Sequence, residues 1–489
     1  MSEINNSVLL STFLNGKKKV KIIFHKAVLV WDNEKPPLEQ HTVPIENVIS
    51  VQPNYLKATH PSMQRQIDPN QFTIHYAEKA VEDRWLYKSL SLKHNDSLQV
   101  ASWVKTLQNH ISKFHKRPKH LLLFVNPFGG KQNAMQIYEK YGKDLFAIAG
   151  VEVTVNVSQR KDQIRDFLIT HNLDTFDSVA CVGGDGTVSE LFNGLVVREC
   201  RANGINPNDI HQVLPKPKIP IGIIPGGSTD TIAYCLHGTT DPTTAVLQII
   251  FGDTLGLDLV SVYDEHNLLR LYASVLSYGY LGDVAYHSDQ YRWMGPHRYD
   301  YSGFKKLVLN KGYQGEIAIY TDKKETEQED CKSNCQICDR AKLNHERATC
   351  KPNLIFRWET FRGKFFMVSG ANISCACSRS PKGIAPYCHL GDGKVNLVLV
   401  KHTSVFNNLR LLLRLSSQDA SVDDLPFVET FSAREFCFRA DNGSPSKWNC
   451  DGEVQHQTNI RAKVRCQLLT IFSRGSEKVR DNKGRCCNI

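Results

Sequence analysis

The chain has 489 residues, of which 41% are hydrophobic and 22% are charged, a composition typical of globular proteins and long enough for roughly two to four domains. The formal net charge of +10 permits contact with anionic membranes or nucleotides. There is no secretory signal and no run of the roughly 20 apolar residues that cross a bilayer. We therefore expect a cytoplasmic protein that associates with membranes only peripherally.

Residues 1–115 predict a small β-rich domain that ends in a helix. Segments 8–13 and 20–31 are strand-like, and Asn15-Gly16 between them indicates a hairpin turn. Ser97 is the expected cap of the helix. Its apolar face is formed by Val100, Trp103, Val104, Leu107 and Ile111. Many short strands closed by one amphipathic helix resemble a pleckstrin-homology (PH) domain, so the sequence predicts an N-terminal PH-like β-barrel.

The first hairpin of this domain is basic, because Lys17, Lys18, Lys19 and Lys21 surround its turn. The resemblance to PH domains implies that these lysines contact the phosphates of phosphoinositides at a membrane surface. The alternative is a protein-binding β domain whose basic hairpin is merely solvated.

A basic linker at residues 116–120 precedes a second pattern, in which a strand, a glycine-rich turn and a helix follow one another three times. The strands are predicted at residues 120–125, 177–182 and 219–224. In the second unit, apolar residues recur at the spacing of one helix face, namely Val188, Leu191, Phe192 and Leu195. Such alternation predicts a parallel sheet with helices on both faces and ligands at the carboxyl ends of the strands. We assign residues 118–268 to this three-layer α/β nucleotide-binding domain.

From residue 269 the pattern changes to mostly β structure. Residues 395–400 and 467–472 are good strand candidates, whereas residues 322–352 form a polar insert that contains cysteines. We assign residues 269–475 to a C-terminal, mostly-β domain and residues 476–489 to a flexible basic tail. The protein is thus expected to be multidomain.

The turn Gly183-Gly184-Asp185-Gly186 combines features that bind and transfer phosphate. Glycine lets a ligand approach the backbone, and the free N–H groups at the start of a helix attract anions. A carboxylate beside a phosphate makes sense when it faces a hydroxyl group or a metal ion. Two further glycine-rich turns and nearby acidic residues therefore indicate phosphoryl transfer with Mg²⁺. The P-loop and dinucleotide-binding sequence motifs are absent from the chain.

Four motifs relate the chain to a known superfamily: VNPFGGK at residues 125–131, CVGGDGTVSE at 181–190, IIPGGSTD at 223–230 and WNCDGE at 448–453. Together they resemble the diacylglycerol and sphingolipid kinase superfamily. Within it, residues 278–283, 292–295, 331–338, 372–377 and 380–386 resemble the ceramide kinase family, of which a C-x-x-x-C-x-x-C element is a mark. With the PH-like domain, the resemblance covers nearly the whole chain except the tail.

The resemblance implies an ATP-dependent lipid kinase with Mg²⁺ as cofactor. It would transfer the γ-phosphate to the primary hydroxyl of ceramide and form ceramide 1-phosphate. The implied location is the Golgi or the plasma membrane, and no nucleic-acid partner is implied. A sphingosine or diacylglycerol kinase is the nearest alternative. A non-catalytic lipid-binding adaptor is the alternative from another class, although the complete GGDG and DGE motifs argue against it.

The family's site residues carry over to matching positions of this sequence. Asp185 is implied to accept the proton of the lipid hydroxyl, and Glu453 is the rival base. The implied substrate-binding residues are Gly183, Gly184, Asp185, Gly186 and Asp258. The implied ATP-binding residues are Asn126, Pro127, Phe128, Ser158, Gln159, Arg160, Lys161, Asp162, Glu190, Arg270, Asp451, Gly452 and Glu453.

Several of these positions also have a purely structural interpretation. Asp185 could form the turn or cap a helix, and Gly226-Gly227 could be an ordinary turn. Asp258 could be a strand-end residue, and Arg270 could form a surface ion pair that contributes little to stability.

The chain contains 15 cysteines, and without a secretory signal this odd number argues against a disulfide framework. Cys331, Cys335 and Cys338 lie close enough in sequence to ligate one zinc ion, with Cys350 or His345 as a candidate fourth ligand. Reduced or redox-sensitive thiols are the alternative.

Two further segments indicate regulation. Residues 404–418 form a basic, apolar, helix-compatible run that resembles the calmodulin-binding segment of the family, which would add Ca²⁺ as an indirect cofactor. A buried helix of the C-terminal domain is the alternative. In the tail, Cys486 follows several basic residues and suggests prenylation or palmitoylation.

Overall fold

A computed structural model describes residues 8–33, 40–55, 66–129, 132–294, 297–321, 329–347, 357–377, 380–417, 421–441 and 445–476. Outside these ranges lie parts of the predicted insert, with Cys350, and the tail from residue 477, with Cys486. The side chain of His345 and residue 418 also lie outside the description. None of the described helices is both long and apolar enough to cross a membrane.

The N-terminal domain is a seven-stranded antiparallel sheet covered by one helix, as predicted for a PH-like fold. Its strands follow the order β4-β3-β2-β1-β7-β6-β5. They are β1 (Leu9–Asn15), β2 (Lys18–His25), β3 (Val28–Asn33), β4 (Gln40–Pro44), β5 (Val48–Tyr55), β6 (Ile67–Lys79) and β7 (Trp85–Lys93), followed by helix α1 (Ser97–Ile111). A short 3₁₀ helix, Ile45–Asn47, precedes β5. Buried side chains alternate along β1 and β2, and Trp103 of α1 packs edge-on against Phe13 among them.

Two details of the sequence prediction are wrong in this domain. Segment 20–31 is not one strand, because the chain turns at Lys26 and Ala27, whose φ angles are +49° and +61°. The cap of α1 is Asp96 rather than Ser97. Its carboxylate accepts a hydrogen bond from the N–H of Leu98 at 2.9 Å, which satisfies a backbone donor of the first helical turn.

The α/β domain contains the three predicted strand–turn–helix units. Its parallel strands follow the order β11-β10-β8-β9 and are β8 (His120–Val125), β9 (Glu152–Val157), β10 (Ser178–Gly183) and β11 (Ile221–Pro225). Its helices are α2 (Ala134–Ile137), α3 (Lys143–Ala149), α4 (Gln163–Thr170), α5 (Asp185–Ala202), α6 (Thr231–His237) and α7 (Pro242–Phe251), with a π-helical segment Tyr138–Gly142 between α2 and α3.

The central strand β10 explains why this segment is continuously apolar. Val179 and Cys181 point into the core shared with α4, α5 and α6, whereas Ala180 and Val182 point into the core shared with α2, α3 and α7. A strand covered on both faces needs apolar side chains at every position. The predicted three-layer arrangement is therefore confirmed.

The C-terminal domain is rich in strands, as predicted. They are β12 (Thr254–Tyr263), β13 (Leu268–Tyr272), β14 (Val275–Gly279), β15 (Tyr313–Thr321), β16 (Arg357–Ala371), β17 (Val395–Lys401), β18 (Val428–Ala433), β19 (Glu435–Ala440), β20 (Trp448–Cys450), β21 (Glu453–Gln455) and β22 (Ile460–Phe472). The helices are α8 (Tyr280–Ser288), α9 (His297–Leu309), α10 (Gln336–Arg347) and α11 (Val405–Leu415), with 3₁₀ turns at Asp289–Met294 and Val422–Asp424.

The long strand β22 joins the two sheets into one. It pairs antiparallel with β12 and β19, and parallel with β11 where Ile471 lies opposite Ile221. The pairing with β11 joins the C-terminal end of β22 to the α/β domain. The domain limits derived from the sequence stay predictions. The limit at residues 268–269 separates β12 from β22 along the chain, yet these two strands pair with each other in the sheet.

The N-terminal domain packs on α7 of the α/β domain. The rings of Trp85 and Phe251 meet at 5.2 Å between centroids, and the N–H of Trp85 donates to Oγ1 of Thr244 at 2.9 Å. Arg474, just after β22, lies 3.9 Å from the centre of the Phe251 ring and donates to Oδ1 of Asn47 at 2.6 Å. Side chains from three parts of the chain thus connect the PH-like domain to the α/β domain.

Candidate active site

The glycine-rich turns after β10 and β11 touch each other at the carboxyl edge of the parallel sheet. The N–H of Gly226 donates to the carbonyl oxygen of Gly183 at 3.1 Å. A Cβ atom on Gly227 would lie only 2.6 Å from the Cα of Gly184. Glycine is needed at this crossing because two backbones meet with no room for a side chain.

Asp185 is the first residue of α5, and its carboxylate lies against the start of α6. Oδ2 accepts a hydrogen bond from the N–H of Thr231 at 3.1 Å, and Oδ1 accepts one from the N–H of Ile232 at 3.0 Å. Asp185 therefore does contact a helix start, as its structural interpretation required. The same two bonds hold its carboxylate between the two glycine turns.

The electrostatic environment of Asp185 suits a proton acceptor. Burial raises the pKa of Asp185 to about 6. The negative charges of Asp230 and Asp451 add to the rise, whereas the two N–H groups on its oxygens oppose it. A carboxylate with a pKa just below neutral is ionised at pH 7 and still accepts a proton readily, as a general base must.

The turn after β8 is tied to the same site by Asn126. Its Nδ2 donates to Oγ1 of Thr187 on α5 at 2.9 Å, and its Oδ1 accepts the N–H of Phe128 at 3.0 Å. These bonds fix the turn that contains Pro127, while the Phe128 side chain is 65% exposed. An exposed aromatic ring beside a phosphate-binding turn offers a nucleotide base a surface for stacking.

Glu190 lies on α5, close to the turn that leads from β9 into α4. Burial raises the pKa of Glu190, whereas the backbone N–H groups of Asp162 and Ile164 oppose the rise. Oε2 of Glu190 is buried without a hydrogen-bond partner among the described residues. A buried, unpartnered carboxylate oxygen at this position is a candidate contact for a bound ligand or cation. Ser158, at the end of β9, is also buried.

Gln159 and Arg160 lie on the surface, next to these buried groups. Their backbone N–H groups donate to Oε1 of Gln163 at 2.6 and 3.3 Å. The guanidinium of Arg160 pairs with Asp166 at 2.6 Å. Their predicted contacts with ATP stay predictions.

Glu453 lies between two cations. Its carboxylate forms an ion pair with Arg270, and Oε1 lies 3.3 Å from Nζ of Lys161. Oγ of Ser189 accepts hydrogen bonds from Nε and Nη2 of Arg270 at 3.2 and 2.9 Å. Because the Arg270 side chain is only 13% exposed, this is not a surface ion pair. Glu453 is thus engaged by two adjacent cations, whereas the hydrogen bonds to Asp185 come from backbone N–H groups.

Asp451 and Gly452 form the turn that aims Glu453 at Arg270. Oδ1 of Asp451 accepts hydrogen bonds from the N–H and the hydroxyl of Ser274 at 3.0 and 2.5 Å, and Oδ2 accepts the N–H of Ala273 at 2.8 Å. The φ angles of Asp451 and Gly452 are +47° and +87°. In this structure the Asp451 carboxylate anchors the turn, and its predicted contact with ATP stays a prediction.

Asp258 is fully buried at an irregularity in β12, and both of its oxygens are engaged. Oδ1 accepts the N–H of Gln467 at 2.5 Å, and Oδ2 accepts the N–H of Gly393 at 2.6 Å. Burial raises the pKa of Asp258 well above its usual range, and the charge of Asp392 adds to the rise. Asp258 thus ties β12 to β22 and to the loop before β17. Its predicted contact with the lipid head group stays a prediction.

Cys331, Cys335 and Cys338 converge with His389, a residue that the sequence did not single out. One possible ligand atom from each residue lies within 4.8 Å of the others. The sequence-derived candidates for a fourth ligand lie outside the described side chains. The group of four is referred to below as the Cys₃His cluster.

The candidate calmodulin-binding segment forms the amphipathic helix α11. Asn408 and Leu411 are buried against the C-terminal domain, whereas Phe406, Leu409 and Leu413 are exposed. The helix therefore packs on the domain by one face and presents an apolar face outward. The alternative of a buried helix therefore fits one face of α11, and the calmodulin-binding interpretation stays a prediction.

The structure brings most candidate residues into two adjoining groups at one edge of the sheet. One group surrounds Asp185 and the glycine turns. The other surrounds Glu453 and Glu190, which lies five residues after Asp185 on α5. Mg²⁺ usually takes one or two protein carboxylates together with phosphate oxygens and water. The unpartnered oxygen of Glu190 and the carboxylates near Asp185 are suitable oxygen donors for it.

Three residues of the site escaped the sequence analysis. Thr187 holds Asn126, and Ser189 holds Arg270, and both lie inside the motif CVGGDGTVSE, which is the signal that could have identified them. His389 stands far along the chain from the cysteines that it meets, and no spacing rule identifies it.

Three family models match successive parts of the chain. Residues 9–107 match the family model of the ceramide kinase PH domain, residues 120–262 that of the diacylglycerol kinase catalytic domain, and residues 274–447 that of the ceramide kinase C-terminal domain. The ceramide kinase of Homo sapiens is 34% identical, and the match covers 91% of this chain and 90% of that protein. The ceramide kinase of Arabidopsis thaliana is 28% identical over 83% of this chain and 81% of that protein. A solved diacylglycerol kinase from Bacillus anthracis str. Sterne aligns with 73% of this chain and 97% of its own, at 14% identity and a TM-score of 0.47.

Proposed function

The chain belongs to the ceramide kinase family of lipid kinases, and on this premise we propose that it transfers the γ-phosphate of ATP to the primary hydroxyl of ceramide. The products are ceramide 1-phosphate and ADP. The observation that carries the proposal is the carboxylate of Asp185, held between two touching glycine turns with a pKa of about 6.

In the proposed reaction, Asp185 accepts the proton of the lipid hydroxyl as the hydroxyl oxygen bonds to the γ-phosphorus. The bond from that phosphorus to the oxygen bridging it to the β-phosphate breaks, and ADP leaves with the electron pair. Asp185 then releases the proton to solvent. The hydrogen bonds from Thr231 and Ile232 keep the carboxylate in one orientation, which favours proton transfer at a defined atom.

The nucleotide would lie along the glycine turns, with positive charge from Arg270 and Lys161 near its phosphates and the Phe128 ring near its base. Glu453 supports this arrangement by pairing with both cations. Mg²⁺, when bound, would neutralise phosphate charge, and the unpartnered oxygen of Glu190 is the candidate protein ligand for it.

A transfer assay tests the proposal. The full chain is incubated with labelled ATP, Mg²⁺ and ceramide, sphingosine or diacylglycerol in mixed micelles, with Asp185→Asn as the matched variant. We expect label on ceramide alone and a loss of about 10²-fold to 10⁴-fold in kcat in the variant. The melting curve of the variant should show that it is folded.

The other outcomes separate the alternatives. Label on sphingosine or diacylglycerol would keep the mechanism and overturn the substrate. ATP binding without label on any of the three lipids would favour the adaptor. A folded Asp185→Asn protein with full activity would remove Asp185 as the base.

We also propose that the PH-like domain holds the enzyme on phosphoinositide-containing membranes of the Golgi or the plasma membrane. The supporting observation is that Lys17, Lys18, Lys19 and Lys21 are all exposed around the turn between β1 and β2. Each such lysine contributes about 1 kcal/mol to binding an anionic surface. Replacing Lys17 and Lys19 by Glu should weaken binding to phosphoinositide vesicles and leave activity in micelles unchanged.

For residues 404–418 we propose Ca²⁺-dependent binding of calmodulin through the exposed face of α11. Phe406 and Leu413 lie seven positions apart on that face, a spacing that grooves for amphipathic helices accept. Fluorescence titration of the full chain with calmodulin tests this. Binding should require Ca²⁺ and be lost in Phe406→Glu.

A further inference from the structure

We propose that the Cys₃His cluster is a structural zinc site in which His389 is the fourth ligand, and that it positions the loop that holds Asp258. The proposal concerns metal binding, so it stands or falls independently of the kinase reaction.

The sulfur–sulfur distance within the cluster agrees with tetrahedral coordination, and the sulfur–nitrogen distance is about 0.4 Å shorter than the ideal value. Two sulfurs about 2.3 Å from a zinc ion lie about 3.8 Å apart, and a sulfur and a nitrogen lie about 3.6 Å apart. Sγ of Cys331 is 3.8 Å from Sγ of Cys338, and Sγ of Cys335 is 3.2 Å from Nδ1 of His389. Three thiols and one imidazole are a ligand set of structural zinc sites.

The backbone around the cysteines is shaped for this role. Asn334 has a φ of +56°, and this left-handed residue lets the chain fold back between Cys331 and Cys335. Cys335 directly precedes the 12-residue helix α10, and Cys338 lies in its first turn. The positive end of a helix stabilises negative charge, and zinc-bound thiolates carry such charge.

Surrounding groups already support the ligands. The N–H of Leu390 donates to Sγ of Cys331 at 3.4 Å, and Nε2 of Gln467 donates to the carbonyl oxygen of Cys338 at 2.9 Å. His389 is only 4% exposed, and its Nε2 has no partner among the described residues, so Nδ1 makes the ring's polar contact with Cys335. A metal ion at Nδ1 explains why a buried imidazole faces three thiols.

The same groups hold Asp258. Gln467, whose side chain bonds to Cys338, donates its own N–H to Oδ1 of Asp258 at 2.5 Å. Gly393, four residues after His389, donates to Oδ2, and the carbonyl oxygen of Leu390 accepts the N–H of Asp258 at 2.8 Å. Zinc would thus clamp α10 to the loop at residues 389–393, and through that loop fix the position of Asp258.

Metal analysis of the full-length protein, purified in reducing buffer without chelators, tests the proposal. We expect about one zinc per chain, and X-ray absorption should show three sulfurs at about 2.3 Å and one nitrogen at about 2.0 Å. His389→Cys should keep the zinc with four sulfurs, whereas His389→Ala should bind zinc at least about tenfold more weakly. Cys437→Ser, which alters a cysteine outside the cluster, should keep it unchanged.

Three results would overturn the proposal. They are wild-type protein without stoichiometric zinc, a disulfide between Cys331 and Cys338 in that protein, and bound zinc whose spectrum shows no nitrogen ligand. Should His389→Ala fail to fold, the absorption spectrum of the wild-type protein decides the question alone.

Discussion

Arg270 and Glu453 form an ion pair across the candidate active site, one residue on β13 and the other at the start of β21. Glu453 and Asp185 are the two carboxylates that the sequence analysis named as candidate proton acceptors, and the ion pair engages Glu453. Asp185 has no cation among its described hydrogen-bond partners, which are two backbone N–H groups. We therefore propose different tasks for the two carboxylates, proton transfer for Asp185 and the positioning of cations for Glu453.

Replacing Glu453 by Gln tests this division of tasks. The change removes the negative charge that holds Arg270 and Lys161, so we expect the KM for ATP to rise several-fold and kcat to fall less than in Asp185→Asn, whose loss should be about 10²-fold to 10⁴-fold. Steady-state kinetics at varied ATP concentration measure both effects. A larger loss of kcat in Glu453→Gln than in Asp185→Asn would make Glu453 the base.

The pH dependence of the rate should report Asp185. The base works only when it is ionised, and the pKa of Asp185 is raised to about 6, so kcat/KM should increase between pH 5 and pH 7 with a midpoint near 6. Above pH 7 the ionisation of Asp185 should no longer change kcat/KM, because the carboxylate is then almost fully ionised. Glu453→Gln should keep the same midpoint. A profile that is flat from pH 5 to pH 7 contradicts the assignment.

The crossing of the two glycine turns predicts a contrast between Gly227 and Gly186. A Cβ on Gly227 would lie 2.6 Å from a backbone atom, whereas a Cβ on Gly186 would meet nothing within 4 Å. We expect Gly227→Ala to lower the free energy of unfolding by about 1–3 kcal/mol. Gly186→Ala, within α5, should be neutral or stabilising by up to about 1 kcal/mol. Thermal melts of the two variants measure the difference, and equal melting temperatures would count against the close crossing.

A buried hydrogen-bond network around Asp283 should contribute to stability rather than to turnover. Its carboxylate accepts hydrogen bonds from the hydroxyl groups of Tyr313 and, at 2.6 Å, of Ser446. Replacement by Ala removes the acceptor of the Tyr313 hydroxyl and the shortest hydrogen bond of the Ser446 hydroxyl, which also reaches the carbonyl oxygen of Gly279 at 3.3 Å. The change should cost about 1–3 kcal/mol in unfolding free energy. Glu429→Gln, which alters an exposed ion pair with Lys401, is the control and should change it by less than about 1 kcal/mol. A melting temperature of Asp283→Ala equal to that of the control would refute the role.

Sequence patterns predicted the α/β domain well because its signals are local. Continuous apolar runs and glycine-rich turns identified β8, β10 and β11, since a strand buried on both faces leaves no polar position. The turn at Lys26 and Ala27 escaped prediction because neither residue is one that favours positive φ. Asp96 and Ser97 are both good caps, and only the hydrogen bond to Leu98 distinguishes them.

The sequence by itself determined which chemical groups are present and which of them lie near one another along the chain, as in Gly183–Gly186 and in the three spaced cysteines. Only the tertiary structure decided which distant groups meet. Arg270 reaches Glu453 because β20 pairs with β14, close after β13 along the chain. His389 reaches the cysteines because the loop before β17 packs beside them, where the N–H of Leu390 donates to Sγ of Cys331. Such meetings depend on strand pairing and burial over long separations, and no local pattern of residues records them.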